Sequence, residues 1–168
     1  CLGNDDLGCA NLHLNRAIQI DGIQNYYDLS DSLTIYRDLL ENARRAVKKE
    51  NYNIGIEDYE NVINRFPNRA IPFYELGVLY ETINDRVNAI KYLNESIKYN
   101  PNKEQYKLAI YGIAQSISRE ADEDSRRQDF NSAIPKYIEA ISYYPEFTQA
   151  YFQLAKAFYS LGDYKQAK

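Results

Sequence analysis

The chain has no methionine, a single histidine and only two cysteines in 168 residues. Lack of Met even at position 1 points to a processed mature chain, or a fragment of one. His13 has no partner histidine at ligand spacing, and no Cys-x-x-Cys pair occurs, which excludes the familiar zinc patterns. Seven glycines form no phosphate-cradling loop. The acidic run Asp122 to Asp124 lacks the spaced ligands and turn glycine of a calcium loop. No metal, cofactor or catalytic residue is therefore expected, and the chain does not read as an enzyme. No apolar stretch approaches the ~18 residues of a membrane-spanning helix. A basic surplus is missing too: 20 Lys and Arg face 24 Asp and Glu, for a net charge of −4. That balance argues against a nucleic-acid or anionic-membrane surface, whose phosphates would need a basic face. The one basic cluster, Arg44, Arg45, Lys48 and Lys49, falls where a helix should end, and cations there complement the helix dipole. A hydrophobic fraction of 45% and a charged fraction of 26% are those of a folded globular chain, not a disordered one.

What is present is a repeat. Residues 52–68, 86–102 and 130–146 align without a gap. Ile56, Ile90 and Ile134 share a column, as do Tyr59, Leu93 and Tyr137, then Val62, Ser96 and Ala140, then Ile63, Ile97 and Ile141. These columns recur at three- and four-residue steps, which places them on one helix face. Pro67, Pro101 and Pro145 close each block where a proline ends a helix. Asn94-Glu95-Ser96 matches a glycosylation sequon, but Ser96 is expected to face the core, so no glycan is expected there.

Residues 70–102 carry Phe73, Leu76, Gly77, Tyr80, Ala89, Leu93, Ser96 and Pro101 in an order that resembles the tetratricopeptide signature. The resemblance covers about residues 36 to 168. It implies an all-α fold of antiparallel helix pairs wound into an α-α superhelix, with Gly77 and Ala89 at the closest helix crossing. The expected organisation is a non-repeat segment at 1–35, then repeats at 36–69, 70–103, 104–147 and a truncated 148–168. The first helix of the third repeat is placed on Leu108, Tyr111 and Gly112, leaving an insertion near 119–129. Asp122 with Arg126 and Glu123 with Arg127 are i,i+4 pairs, so that insertion reads as a helix extended into solvent, with a protruding contact element as the alternative. Pro135 requires the following helix to start near Phe130 or to be kinked.

In such arrays the first helices line a concave groove that binds protein or peptide. The resemblance maps it onto Arg37, Leu40, Arg44 and Lys48; Ile71, Tyr74, Val78 and Glu81; Tyr106, Ala109 and Ile113; and Phe152, Lys156 and Tyr159. The family's carboxylate clamp needs Lys and Asn where Leu40 and Arg44 stand, so that function is not carried over. The expected groove is apolar and rich in tyrosine, of which the chain has 17, with a basic N-terminal end. Tyrosine gives large contact area at low entropy cost, which suits a protein-binding scaffold.

The first thirty residues do not repeat. Leu12, Leu14, Arg16, Ile18 and Ile20 alternate with His13, Asn15, Ala17 and Gln19, so the segment is either a strand or a capping helix. Cys1 resembles the lipid-bearing first residue of a mature bacterial lipoprotein; the rival reading joins Cys1 to Cys9 in a disulfide. Both imply export, to the cell envelope or outside it, with membrane contact only through a lipid on Cys1. A half repeat at one end and an unpartnered segment at the other give the structural alternative: a subunit stacking head to tail into a homopolymer.

Overall fold

The computed structural model describes residues 24–163, 165 and 166, together with Gly8, Leu12, His13 and Arg16. Leu12, His13 and Arg16 are helical and exposed; Cys1, Cys9, Leu14, Ile18, Ile20, Tyr164 and Ala167 lie outside the described residues. The described residues form no strand. Seven helices follow: α1 Gln24–Lys48, α2 Tyr52–Arg65, α3 Ala70–Thr82, α4 Arg86–Tyr99, α5 Glu104–Arg126, α6 Phe130–Tyr143 and α7 Thr148–Ser160. None is long and apolar enough to cross a membrane. They fall into two units, residues 1–103 and 104–168.

A turn repeats through both units and fixes the register. Glu50, Asn84, Gln128 and Gly162 have φ of 61°, 62°, 63° and 80°. After each, the next residue donates its amide back across the turn: Asn51 to the Ala46 carbonyl, Asp85 to Tyr80, Asp129 to Asp124 and Asp163 to Phe158, at 2.8–3.0 Å. This is the six-to-one hydrogen bond that closes a helix around a left-handed residue. The aspartates that follow two of these turns also cap the next helix. Asp85 accepts from the Asn88 amide at 3.1 Å and Asp129 from the Ser132 amide at 3.2 Å. Hydrogen bonds from Asn88 and from Ser132, side chain first, hold the two carboxyls below their ordinary value.

In unit 1, α1 packs on α2, α2 on α3 and α3 on α4. Its core joins Tyr36, Leu40, Ala43, Tyr59, Val62, Leu76 and Leu79. Helices α3 and α4 cross at Gly77, where an added Cβ would stand 2.8 Å from Leu93 Cγ. Ser96 is fully buried and donates to the Leu93 carbonyl at 2.7 Å, facing the core as expected.

In unit 2, α5 packs on α6 and α6 on α7. Helix α6 starts at Phe130 and carries Pro135 on an exposed position, the start that a proline there requires. Its core joins Ala121, Ala133, Tyr137 and Ala157. Here the expected layout of the third repeat is overturned. Residues 119–126 do not extend into solvent; Ala121 is fully buried and Asp124 is buried beside it. Ala121 lies seven residues before its turn residue, the place that Ala43, Gly77 and Ala155 hold before theirs. Gly112, expected at that crossing, has open space around it, and Leu108 is 56% exposed. The extra residues therefore form the N-terminal turns of α5, where Tyr106, Ile110 and Ile113 are buried and Tyr111 sets its ring against Tyr144 and Phe147.

Candidate functional site

The register decides which side chains hold equivalent places on the first helices. Tyr74, Val78 and Glu81 lie ten, six and three residues before Asn84. The same offsets before Gln128 give Ser118, Asp122 and Ser125, and before Gly162 they give Phe152, Lys156 and Tyr159. Tyr106, Ala109 and Ile113 are thus one insertion out of place. Tyr106 and Ile113 are buried and Ala109 is half-buried, so the first two have no surface to offer a partner. Sequence reading missed Asp122, Ser125 and Arg126. Counting back from Ala133, instead of forward to the Leu108–Gly112 run, would have found them.

Unit 1 has a cavity of about 150 Å³ lined by Val47, Tyr59, Tyr74, Glu75, Val78, Leu79 and Thr82. Tyr74 and Val78 come together there, while Ile71 packs half-buried against the core. Leu40 does not line a surface: it is 2% exposed, inside the core, because it projects toward Tyr59 and Leu76 in the same cluster.

At the expected basic end, Arg44 and Arg37 are both paired. Arg44 donates Nε to Glu75 Oε2 at 2.9 Å, Nη2 to Oε1 at 2.5 Å, and Nη1 to Glu41 Oε1 at 2.6 Å. Tyr59 donates to Glu75 Oε2 at 3.0 Å. The hydrogen bonds to Glu75 hold Arg44 above its ordinary pKa despite partial burial. Burial, then the Glu75 charge, raises Tyr59. A fork of this kind matches a carboxylate on both arms, so Glu75 occupies what a ligand carboxylate would seek. Arg37 is exposed and paired with Asp38 at 3.1 Å.

Unit 2 has a cavity of about 370 Å³ where α5, α6 and α7 meet. Asp122, Ser125 and Arg126 of α5, Phe130 and Tyr137 of α6, and Gln153, Lys156, Ala157 and Ser160 of α7 line it. Tyr137 donates to Asp122 Oδ1 at 2.6 Å and shares a 3.2 Å hydrogen bond with Ser125 Oγ. Burial and the Asp122 hydrogen bond push the Tyr137 hydroxyl up to about 12. Of the two expected ion pairs on α5, Glu123 and Arg127 meet at 3.8 Å, whereas Asp122 turns to Tyr137 instead of Arg126. Phe152 and Tyr159 stand 68% and 65% exposed on α7. Among the described residues, no group of three or more His, Cys, Asp or Glu is placed to hold a metal ion.

Tetratricopeptide-repeat family models match residues 72–103 and 118–167. The second match opens inside α5, in step with the register set by the turns. The fold is all-α, built of tetratricopeptide-type helix pairs. No curated protein matches the chain. Solved structures similar in fold include MamA, residues 41 to the end, from Desulfovibrio magneticus RS-1. It is 17% identical over 82% of this chain and 89% of that one, with a TM-score of 0.40. The first TPR of Spaghetti (RPAP3), bound to an HSP90 peptide, is 16% identical over 76% and 93%, with a TM-score of 0.40. YrrB, described as a TPR protein with an unusual peptide-binding site, is 18% identical over 96% and 78%, with a TM-score of 0.41.

Proposed function

We propose that this protein is a non-enzymatic scaffold that binds a protein or peptide through the first helices of its repeats. One observation carries the reading. The place six residues before the turns at Asn84, Gln128 and Gly162 opens onto a cavity each time: Val78 in unit 1, beside Tyr74, and Asp122 and Lys156 in unit 2, beside Ser125. The unit 1 cavity offers tyrosine and aliphatic contact, and the unit 2 cavity offers charge and hydroxyls. An interface needs both, apolar anchors for affinity and placed polar groups for specificity. The test is affinity capture from the native source with the intact chain, against Tyr74→Ala and Lys156→Glu variants. Weaker capture at unchanged circular dichroism supports the reading. Undiminished capture by both variants contradicts it.

A second reading, assembly of copies into a homopolymer, is favoured by the exposed apolar side chains of α7 and the residue after it: Tyr151, Phe152, Tyr159 and Leu161. Sedimentation of the purified chain decides it, since a monomer at high concentration rules assembly out. Export is proposed on either of two states of Cys1, lipid-bearing or joined to Cys9 in a disulfide, which mass spectrometry and thiol labelling of the native protein check.

A further inference from the structure

We propose that the unit 2 cavity receives one carboxylate of a bound peptide, gripped by Arg126 and Lys156, while Asp122 accepts a neighbouring peptide N–H. This deepens the scaffold reading and rests on it. Its basis is the way charge is distributed around the cavity. The other cations near it are spoken for: Arg127 lies 3.5 Å from Asp124, and Lys136 donates to Asp124 at 2.7 Å. Arg126 and Lys156 both line the cavity and form no ion pair among the described residues.

Asp122 is the carboxylate that could have neutralised Arg126, one helical turn away. It is held instead by the Tyr137 hydroxyl at 2.6 Å, from the facing helix. That hydrogen bond holds Asp122 at the cavity and leaves Arg126, on the same face of α5, without an ion-pair partner among the described residues. A cavity of about 370 Å³ is large enough for a side chain and the backbone beside it. Two cations against one carboxylate leave a single positive charge in excess. A monoanionic side chain neutralises it; a dianionic phosphate would overshoot and face Asp122. The site therefore selects an aspartate or glutamate over a phosphorylated residue. It also differs from a clamp built on Lys and Asn, since its recognition set pairs an arginine and a lysine with an acceptor.

The test uses the intact, isotope-labelled chain and titrates in blocked tripeptides centred on Glu, Gln or phosphoserine, followed by NMR. The Glu peptide should shift amides of 122–126 and 153–160 saturably, and the Gln peptide should not. Arg126→Gln and Lys156→Gln should each weaken the Glu peptide by about 3- to 10-fold, as loss of a partly exposed charged contact does. Tyr137→Phe should also weaken it by releasing Asp122 toward Arg126, with Tyr137 acting as a positioning residue; restoring the hydroxyl restores the affinity. Equal shifts from Glu and Gln peptides, tighter binding of the phosphoserine peptide, or indifference to Arg126→Gln would each overturn the proposal. Affinity capture separates the two levels. A partner held equally by wild type and Arg126→Gln leaves the scaffold standing and removes this site.

Discussion

At Gly77 the packing of two helices comes down to one missing methyl. A Cβ there would meet Leu93 Cγ at 2.8 Å and the Leu93 amide nitrogen at 3.1 Å, and backbone cannot swing aside. Gly77→Ala gains roughly 1 kcal/mol of helix propensity but overpacks the crossing at ~1–3 kcal/mol, so the variant should be less stable. Gly112→Ala should behave oppositely. Its Cβ meets nothing within 4 Å, and an interior helical glycine costs about 0.5–1 kcal/mol relative to alanine. Urea denaturation of the pair checks both signs; a destabilised Gly112→Ala would contradict the register given to α5. Tyr137 makes a pH prediction. Its folded pKa, about 12, stands above the ordinary 10.0, so the folded chain keeps that proton longer than the unfolded one. The resulting stability is present below the ordinary value and is lost as pH rises through about 12. Tyr137→Phe should flatten that part of the alkaline decline, read as the urea midpoint at about pH 9 against about pH 11. An unchanged slope would show that Tyr137 titrates as an exposed phenol.

The helix is the scale at which sequence and structure parted. Helices α2, α3, α4 and α6 follow from apolar columns at helical spacing and from the prolines that end them, and their crossings were legible because Gly77 and Ala89 are small. Helix α5 was not legible. Leu108, Tyr111 and Gly112 imitate the repeat signature, yet signature letters carry meaning only where another helix touches them. At Gly112 none does, while Ala121, an unremarked alanine inside a charged run, makes the close contact. The charged run misled for a related reason. Asp122 and Asp124 look like solvated residues, but Tyr137 and Lys136 reach across to take them in. The turns were the missing signal, hidden because Glu50, Asn84 and Gln128 adopt φ near 60° without being glycine. A left-handed non-glycine residue costs roughly 1–2 kcal/mol, partly offset in a glycine variant by greater unfolded-chain entropy. Gln128→Gly should therefore raise stability by up to about 1 kcal/mol. A loss of stability in thermal melts would mean that the Gln128 side chain, not the turn, holds α5 to α6.

At the scale of the molecule, each unit presents its own surface chemistry. Unit 1 uses Arg44 internally: Arg44, Glu75, Tyr59 and Glu41 bind one another, so the cavity beside them is left to Tyr74 and Val78. Unit 2 leaves Arg126 and Lys156 facing an open cavity, whereas the basic residues that stand out in the sequence, Arg44, Arg45, Lys48 and Lys49, lie in unit 1. Of the tyrosines expected on the first helices, Tyr74 lines the unit 1 cavity, whereas Tyr106 is buried and its place belongs to Ser118. The central claim is that the first helices of successive repeats meet one partner. Its most direct measurement places a photo-crosslinking residue at Tyr74, at Lys156, or at Val87, an exposed position on a second helix. Irradiation is done in extract of the native source. The account predicts the same crosslinked partner from Tyr74 and Lys156 and none from Val87. Crosslinks from Val87 alone, or from all three positions equally, would contradict it.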